Sequence, residues 1–206
     1  MARSTEQVRA LALAAGLVAW SATADLAIPG RRNPAVQAGL GTTLALVFGA
    51  RPGARLRPGL ELGAASAAVI SAGVAVGAAV PPIRGAMAQR ALPQSSWRWL
   101  AFDIPVGTVW AEETLYRGAL GTVAAEAFGP RIGRLVQAAA FGLSHIVDAR
   151  TAGDSIAGTV LVTASAGWLF AALAQRSGSL IAPALAHLAI NEAGAVAALL
   201  AQRQRR

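Results

Sequence analysis

The strongest constraint on the fold is a series of apolar runs, each near the length that crosses a membrane. A helix needs about 20 mostly apolar residues, rising about 1.5 Å each, to cross a hydrocarbon core roughly 30 Å thick. Seven such segments run approximately from Val8 to Ile28, Pro34 to Ala50, Leu60 to Ile83, Trp99 to Phe128, Arg131 to Val147, Ser155 to Gln175 and Leu180 to Ala201. They predict an all-α, polytopic transmembrane helical bundle of about seven to eight helices.

The fourth segment is longer than one untilted span and contains Pro105 and a charged group around Glu112. Proline is tolerated in a membrane helix where neighbours satisfy the freed carbonyl. We therefore expect either one kinked helix or a span joined to a helix partly outside the core. The second reading raises the number of helices to eight.

Composition supports a membrane environment over an aqueous one. The chain is 55% hydrophobic and 14% charged, with a mean hydropathy of +0.51. Its net charge of +8 comes from 18 basic residues, all of them arginines that punctuate apolar segments instead of forming one basic face, so we expect no nucleic-acid partner. Cysteine is absent, which excludes disulfides and thiolate chemistry.

The two halves of the chain carry different signals. Residues 1–98 are predicted as N-terminal transmembrane helices and residues 99–206 as the catalytic core, within a single integral membrane domain. Arg3 and Arg9 before the first apolar run permit a cleaved signal peptide, but the later spans favour an uncleaved anchor. The basic tail at Arg203, Arg205 and Arg206 is expected in water near lipid headgroups.

Ionisable residues inside apolar segments are functional candidates, because each costs about 2.5–3.5 kcal/mol to insert. Three groups stand out: Glu112-Glu113-x-x-x-Arg117, Phe141-x-x-x-His145 and His187-x-x-x-Asn191. The two histidines are the only ones in the chain. Each imidazole needs hydrogen-bond partners in such surroundings.

Helical spacing divides the roles in the first group. Glu113 and Arg117 are four residues apart and share a face, whereas adjacent Glu112 is turned away by about 100°. The pair would cancel two buried charges and leave Glu112 free to act on water. The alternative is a charge cluster at a loop end near the membrane interface.

The histidine groups also allow two interpretations. His187 and Asn191 share a helix face, so both could donate to one oxygen as an oxyanion hole, or they could join two helices by hydrogen bonds. His145 could be catalytic, with Asp148 orienting its ring, or an ordinary core histidine beside Phe141 and a solvated Asp148.

Together the three groups resemble a known signature. Glu-Glu-x-x-aromatic-Arg-Gly from Glu112 to Gly118, then Phe-x-x-x-His and His-x-x-x-Asn in that order, resemble the CPBP family, also called Abi or CaaX-protease-like. These are intramembrane endopeptidases, the prokaryotic relatives of CaaX prenyl proteases. The resemblance covers roughly Trp99 to Leu200.

The resemblance implies a role for each matched residue. Glu112 and His145 would activate a water molecule for attack on a peptide carbonyl. His187 and Asn191 would stabilise the tetrahedral oxyanion. Supporting or packing roles fall to Glu113, Arg117 and Phe141.

Metal dependence stays open between two mechanisms. Glu112, His145 and His187 form a plausible catalytic Zn²⁺ set with one open position. A glutamate–histidine pair with an oxyanion hole needs no metal, and Asn191 is a better hydrogen-bond donor than zinc ligand. We favour the metal-free mechanism, with no certain cofactor.

The predicted function is hydrolysis of a peptide bond in a membrane-associated peptide or protein, with membrane lipid as the other partner. The expected location is the bacterial inner membrane, as a multi-pass protein. One alternative is a non-catalytic scaffold or bacteriocin self-immunity protein on the same fold. Another is a transporter that uses the buried groups as an ion path.

Overall fold

The structure, a computed structural model, describes residues 2–51 and 55–204, and every regular element in this part is a helix. The helices are α1 (Ala2–Ala22), α2 (Pro34–Val47), α3 (Leu56–Ala79), α4 (Pro81–Gln89), α5 (residues 96–128), α6 (Pro130–Ser144), α7 (Ile146–Ala152), α8 (Ile156–Ser177) and α9 (Ile181–Arg203). The all-α prediction is confirmed, and each of the seven apolar segments overlaps one of the longer helices, although the first extends past α1 and the third runs on into α4. Arg205 and Arg206 lie outside the described residues.

The long fourth segment forms one continuous helix, α5, in place of two separate pieces. Two stretches of it, Trp99–Trp110 and Glu113–Leu120, are π-helical. The N–H of Ala111 reaches back five residues to the Val106 carbonyl, for example. Pro105 falls inside the first stretch, where its missing N–H removes one backbone bond. Such wide turns are rare and occur often at functional sites.

Helix ends follow from local sequence. Asn33 caps α2 because its side chain accepts from the N–H groups of Ala35 and Val36, and Pro34 follows at the first helical position. Gly129 has a φ of +80° between α5 and α6, and Gly178 has +66° after α8. Glycine adopts this backbone region without steric penalty, so both positions can end a helix and reverse the chain.

Two glycines let helices approach α5 and α6 closely. A Cβ on Gly41 of α2 would lie 2.8 Å from the Ala111 carbonyl oxygen of α5 and would also clash with the Thr114 side chain. A Cβ on Gly142 of α6 would lie 2.7 Å from the Val160 carbonyl oxygen of α8. These contacts hold the helices that carry the candidate site at backbone distance from their neighbours.

The outer surface of the bundle is apolar. Among the described residues, α3, α8 and α9 are long and apolar enough to cross a membrane, and α2 is a shorter apolar helix. Val69, Val76 and Leu161 are at least 69% exposed. Exposed apolar area of this extent suits contact with lipid. The fold is therefore that of an all-α membrane protein.

Candidate active site

A buried charge network joins α5 to α9. Arg117 Nη1 lies 3.1 Å from Glu113 Oε1, and both side chains have no exposed surface. The Nδ1–H of His187 donates to the same carboxylate oxygen over 2.8 Å. The structure therefore places Glu113 against Arg117, as their spacing predicts, and adds His187 to the pair.

Glu112 lies on a different line of the helix, at a cavity. Its side chain is 27% exposed, and its Oε2 atom lies 3.8 Å from His187 Nε2, just beyond hydrogen-bond distance. Together with His145 and Tyr116 it lines a cavity of about 170 Å³. The structure thus brings Glu112 and His145 to one cavity and places His187 beside Glu112.

The orientation of His145 follows from the end of α6. The backbone N–H of His145 bonds to the Gly142 carbonyl, so the Phe141 carbonyl lacks its usual helical donor. The His145 Nδ1–H donates to that carbonyl over 2.7 Å, as does the Ser144 hydroxyl. Because a carbonyl only accepts, Nδ1 carries the proton and Nε2 of the neutral ring holds a lone pair.

Two aromatic rings enclose the charged groups. The Arg117 guanidinium carbon lies 4.0 Å from the Phe141 ring centroid and 5.1 Å from that of Phe170. Phe170 also stacks on the His187 ring at 4.9 Å, and Phe141 meets the His145 ring edge-on at 4.7 Å. These rings exclude water from the network and fix the imidazoles by packing. Phe170 belongs to none of the three motif groups, and nothing in the sequence pattern marks it.

Asn191 contacts its own helix in this structure. Its side-chain amide donates to the His187 carbonyl over 3.1 Å, and its second amide N–H is not engaged in that bond. The two residues share a helix face, as the spacing predicts. The structure places neither Asn191 nor His187 among the residues that line the cavity of Glu112 and His145.

The N-terminal part of the chain also contributes to the cavity. Arg31, in the loop after α1, lines it and donates to the Trp20 carbonyl over 2.9 Å and to the Thr23 hydroxyl over 3.1 Å. Burial lowers the pKa of the Arg31 guanidinium, while the charge of Asp148 acts in the opposite direction. Asp148 is exposed at the cavity, and the His145 Nδ1 bonds to the Phe141 carbonyl instead.

The residues of the alternative zinc set do not assemble a metal site here. Over residues 2–51 and 55–204, no three His, Asp or Glu side chains group closely enough to hold a metal ion. Each Nδ1 atom is hydrogen-bonded to another acceptor, so Nε2 is the nitrogen left for a ligand, and Glu112 Oε2 lies 3.8 Å from Nε2 of His187. A metal site would need the three groups drawn closer together than they are here.

Fold and site together define a helical membrane protein with a buried ionisable centre beside a cavity. Residues 93–193 match the family described as type II CAAX prenyl endopeptidase Rce1-like. The match confirms the resemblance to CaaX-protease-like proteins over these residues, and the matched range includes every motif residue identified above. No curated protein and no solved structure matches the chain. This match supports, in general terms, a membrane peptidase of the CAAX-protease type.

Proposed function

We propose that this protein hydrolyses a peptide bond of a membrane-associated peptide or protein, using water activated by Glu112 and His145. The observation that carries the proposal is that the Glu112 carboxylate and the His145 ring line one cavity. Both groups offer lone pairs, since the His145 Nδ1–H is committed to the Phe141 carbonyl. A water molecule that donates one hydrogen to each would direct its own lone pair at a substrate carbonyl.

The proposed hydrolysis needs only one proton carrier, Glu112. As the water oxygen bonds to the carbonyl carbon, one O–H bond breaks and the proton moves to Glu112. The tetrahedral intermediate then collapses, the C–N bond breaks and the proton passes from Glu112 to the leaving amine. General acid–base catalysis of this kind contributes about 10²–10⁴-fold to a rate.

The oxyanion that forms between these steps needs hydrogen-bond donors. His187 Nε2 lies on the Glu112 side of its ring and can donate when it carries a hydrogen, and the Glu113 carboxylate 2.8 Å from Nδ1 orients the ring. Asn191 keeps one amide N–H outside its bond to the His187 carbonyl. We assign both residues to the oxyanion, and Glu113 and Arg117 to holding His187 in place.

The decisive experiment compares two glutamates of the same helix. Purified full-length protein in detergent is incubated with a library of membrane peptides, in its native form and as Glu112→Gln and Glu126→Gln. Glu126 is exposed on α5, away from the cavity. We expect cleavage to fall by about 10²–10⁴-fold in Glu112→Gln, because a neutral amide cannot accept the proton, and to persist in Glu126→Gln.

Equal cleavage by the two variants would contradict the assignment of Glu112. If the native protein binds library peptides tightly but does not cleave them, the result would favour a non-catalytic scaffold over an enzyme. Location in a cell membrane as a multi-pass protein, with bacterial inner membrane as the expected compartment, is part of the proposal. Labelling of loop residues from each side of sealed vesicles would test it.

A further inference from the structure

Arg117 lines a second cavity, which shares no residue with the cavity that Glu112 lines. It has a volume of about 200 Å³, and its walls come from α5, α6 and α8 together with the loops that follow α2 and α8. Three arginines, Arg51, Arg117 and Arg134, line it, and no acidic side chain is among its lining residues. Arg117 is already neutralised by Glu113. The charges of Arg51 and Arg134 therefore favour an anion in this cavity.

Unpaired polar atoms indicate that the cavity is built for a ligand. Gln137 lines it with no exposed surface, and both the oxygen and the nitrogen of its amide lack a hydrogen-bond partner. The Nε atom of Arg134 is also buried without a partner. Buried polar groups are nearly always hydrogen-bonded, and leaving a buried donor or acceptor without a hydrogen bond costs about 1–3 kcal/mol. A bound group with acceptor oxygens would accept from the Gln137 amide nitrogen and from Arg134 Nε.

An apolar groove adjoins this cavity at Arg134. The groove has a volume of about 470 Å³ and runs between α3 and α8. Its apolar lining includes Val69, Ile70, Trp168, Leu169 and Leu173. Arg134 lines both the groove and the polar cavity, with its guanidinium carbon 4.9 Å from the Trp168 ring centroid. Arg176 adds a second positive charge to the groove.

The charged residues lie at one end of the bundle and the apolar lining extends inward from them. Gln175 donates to the Pro130 carbonyl over 3.1 Å, which sets the end of α8 level with the start of α6. Arg176 therefore lies at this end, with Arg134 about one turn inside it. Along α8 the Trp168 backbone lies about 12 Å deeper than Arg176 at 1.5 Å per residue, and the Arg134 side chain reaches the Trp168 ring. This order, from charge to apolar surface, corresponds to the order of headgroup and acyl chain in a lipid.

We propose that the polar cavity and the groove together bind one anionic phospholipid. Its phosphate would sit at Arg134 and Gln137, and an acyl chain would lie along the groove over Trp168 and Leu173. Free phosphate shares the headgroup chemistry but has nothing to occupy the groove. The acyl chain would also cover Phe170, which lines the groove and stacks on His187. The lipid would thereby stabilise the packing of Phe170 against His187 from outside the buried charge network.

The test measures the thermal unfolding midpoint of the full-length protein in neutral detergent with added phosphatidylglycerol, phosphatidylcholine or inorganic phosphate. Arg134→Gln is compared with Arg131→Gln, which makes the same charge change at an exposed position of the same helix that lines neither space. We expect phosphatidylglycerol to raise the midpoint of the native protein and of Arg131→Gln by several degrees. Arg134→Gln should lose most of that shift.

Four other outcomes would contradict the proposed lipid binding. An equal shift in Arg134→Gln and Arg131→Gln would overturn it. A full shift with inorganic phosphate alone would assign the cavity to a soluble anion and overturn the lipid, as would equal shifts with phosphatidylcholine. If Arg134→Gln does not fold, Arg176→Gln replaces it and must show a reduced phosphatidylglycerol shift, or the proposal fails.

Discussion

The Nδ1 atom of His187 lies 2.8 Å from Oε1 of Glu113, although the two residues are 74 positions apart. The same oxygen receives Arg117 Nη1 at 3.1 Å. One carboxylate oxygen therefore ties α5 to α9 and holds a cation in an environment without water. Because His187 Nε2 then faces Glu112, the contact that stabilises the fold also sets the position of a ring at the candidate site.

Loss of the Glu113 charge should destabilise the protein strongly. Glu113→Gln leaves Arg117 buried without a counter-charge, and removing one partner of a buried pair costs about 3–5 kcal/mol. We expect the free energy of unfolding, measured by denaturant titration in mixed micelles, to fall by about that amount. The matched control is Glu61→Gln, since Glu61 pairs with Arg57 on an exposed face of α3, with side chains 64% and 90% exposed. Comparable losses in both variants would show that the Glu113 contact has no special weight.

Glycine substitutions in α2 should separate close packing from helix propensity. Gly41→Ala places a methyl group against the Ala111 carbonyl and the Thr114 side chain of α5, and such overpacking costs about 1–3 kcal/mol. A methyl group on Gly39 of the same helix would meet no atom within 4 Å, so Gly39→Ala should stabilise by about 0.5–1 kcal/mol. Unfolding midpoints of the two variants should move in opposite directions. A shift of the same sign would mean that α2 does not approach α5 as closely as described.

Arg31 should affect cleavage more than its neighbour Arg32. Arg31 lines the cavity of Glu112 and anchors the loop to the end of α1, whereas Arg32 forms an exposed pair with Asp25. Arg31→Gln loses hydrogen bonds made by a charged donor. We expect its cleavage rate to fall roughly tenfold, equivalent to about 1.4 kcal/mol, with little change in Arg32→Gln. The measurement is the turnover of one peptide from the library. Equal rates in the two variants would contradict a specific role for Arg31 in cleavage.

Cleavage should persist after treatment with a strong chelator. Among the described residues, Glu112 and the two histidines do not form a three-ligand group, and the proposed acid–base route needs no metal. Native protein is dialysed against chelator and assayed with and without added Zn²⁺. Activity that disappears with chelator and returns with Zn²⁺ would contradict the metal-free mechanism. It would support zinc binding by Glu112, His145 and His187.

Local spacing accounts for the features that were predictable from the sequence. Residues four apart on a helix face the same way, so the contact of Glu113 with Arg117 follows from their positions alone. The seven apolar segments likewise predict the longer helices, because their length is set by the membrane. The family signature depends on the same short spacings, and the match over residues 93–193 includes all three motif groups.

Sequence spacing could not predict the contacts between helices. Phe170 stacks on His187 and Arg31 lines the cavity because of how α8 and the first loop pack, which no motif encodes. The side-chain amide of Asn191 bonds to its own backbone at His187, a rotamer choice that spacing leaves open. The π-helical stretches of α5 also went unpredicted, since periodicity locates a helix without distinguishing its turn width.

The pairing of Glu113 with Arg117 inside one helix bears on how the chain enters a bilayer. Each isolated charge would cost about 2.5–3.5 kcal/mol to insert, but the partners lie one turn apart and can neutralise each other before any other helix arrives. His187 is synthesised much later, on the last helix, and can join only when α9 docks. Biogenesis therefore separates into charge neutralisation within α5 and a final docking step. A nascent chain halted before α9 would have Glu113 and Arg117 paired but would lack His187, which belongs to the proposed site.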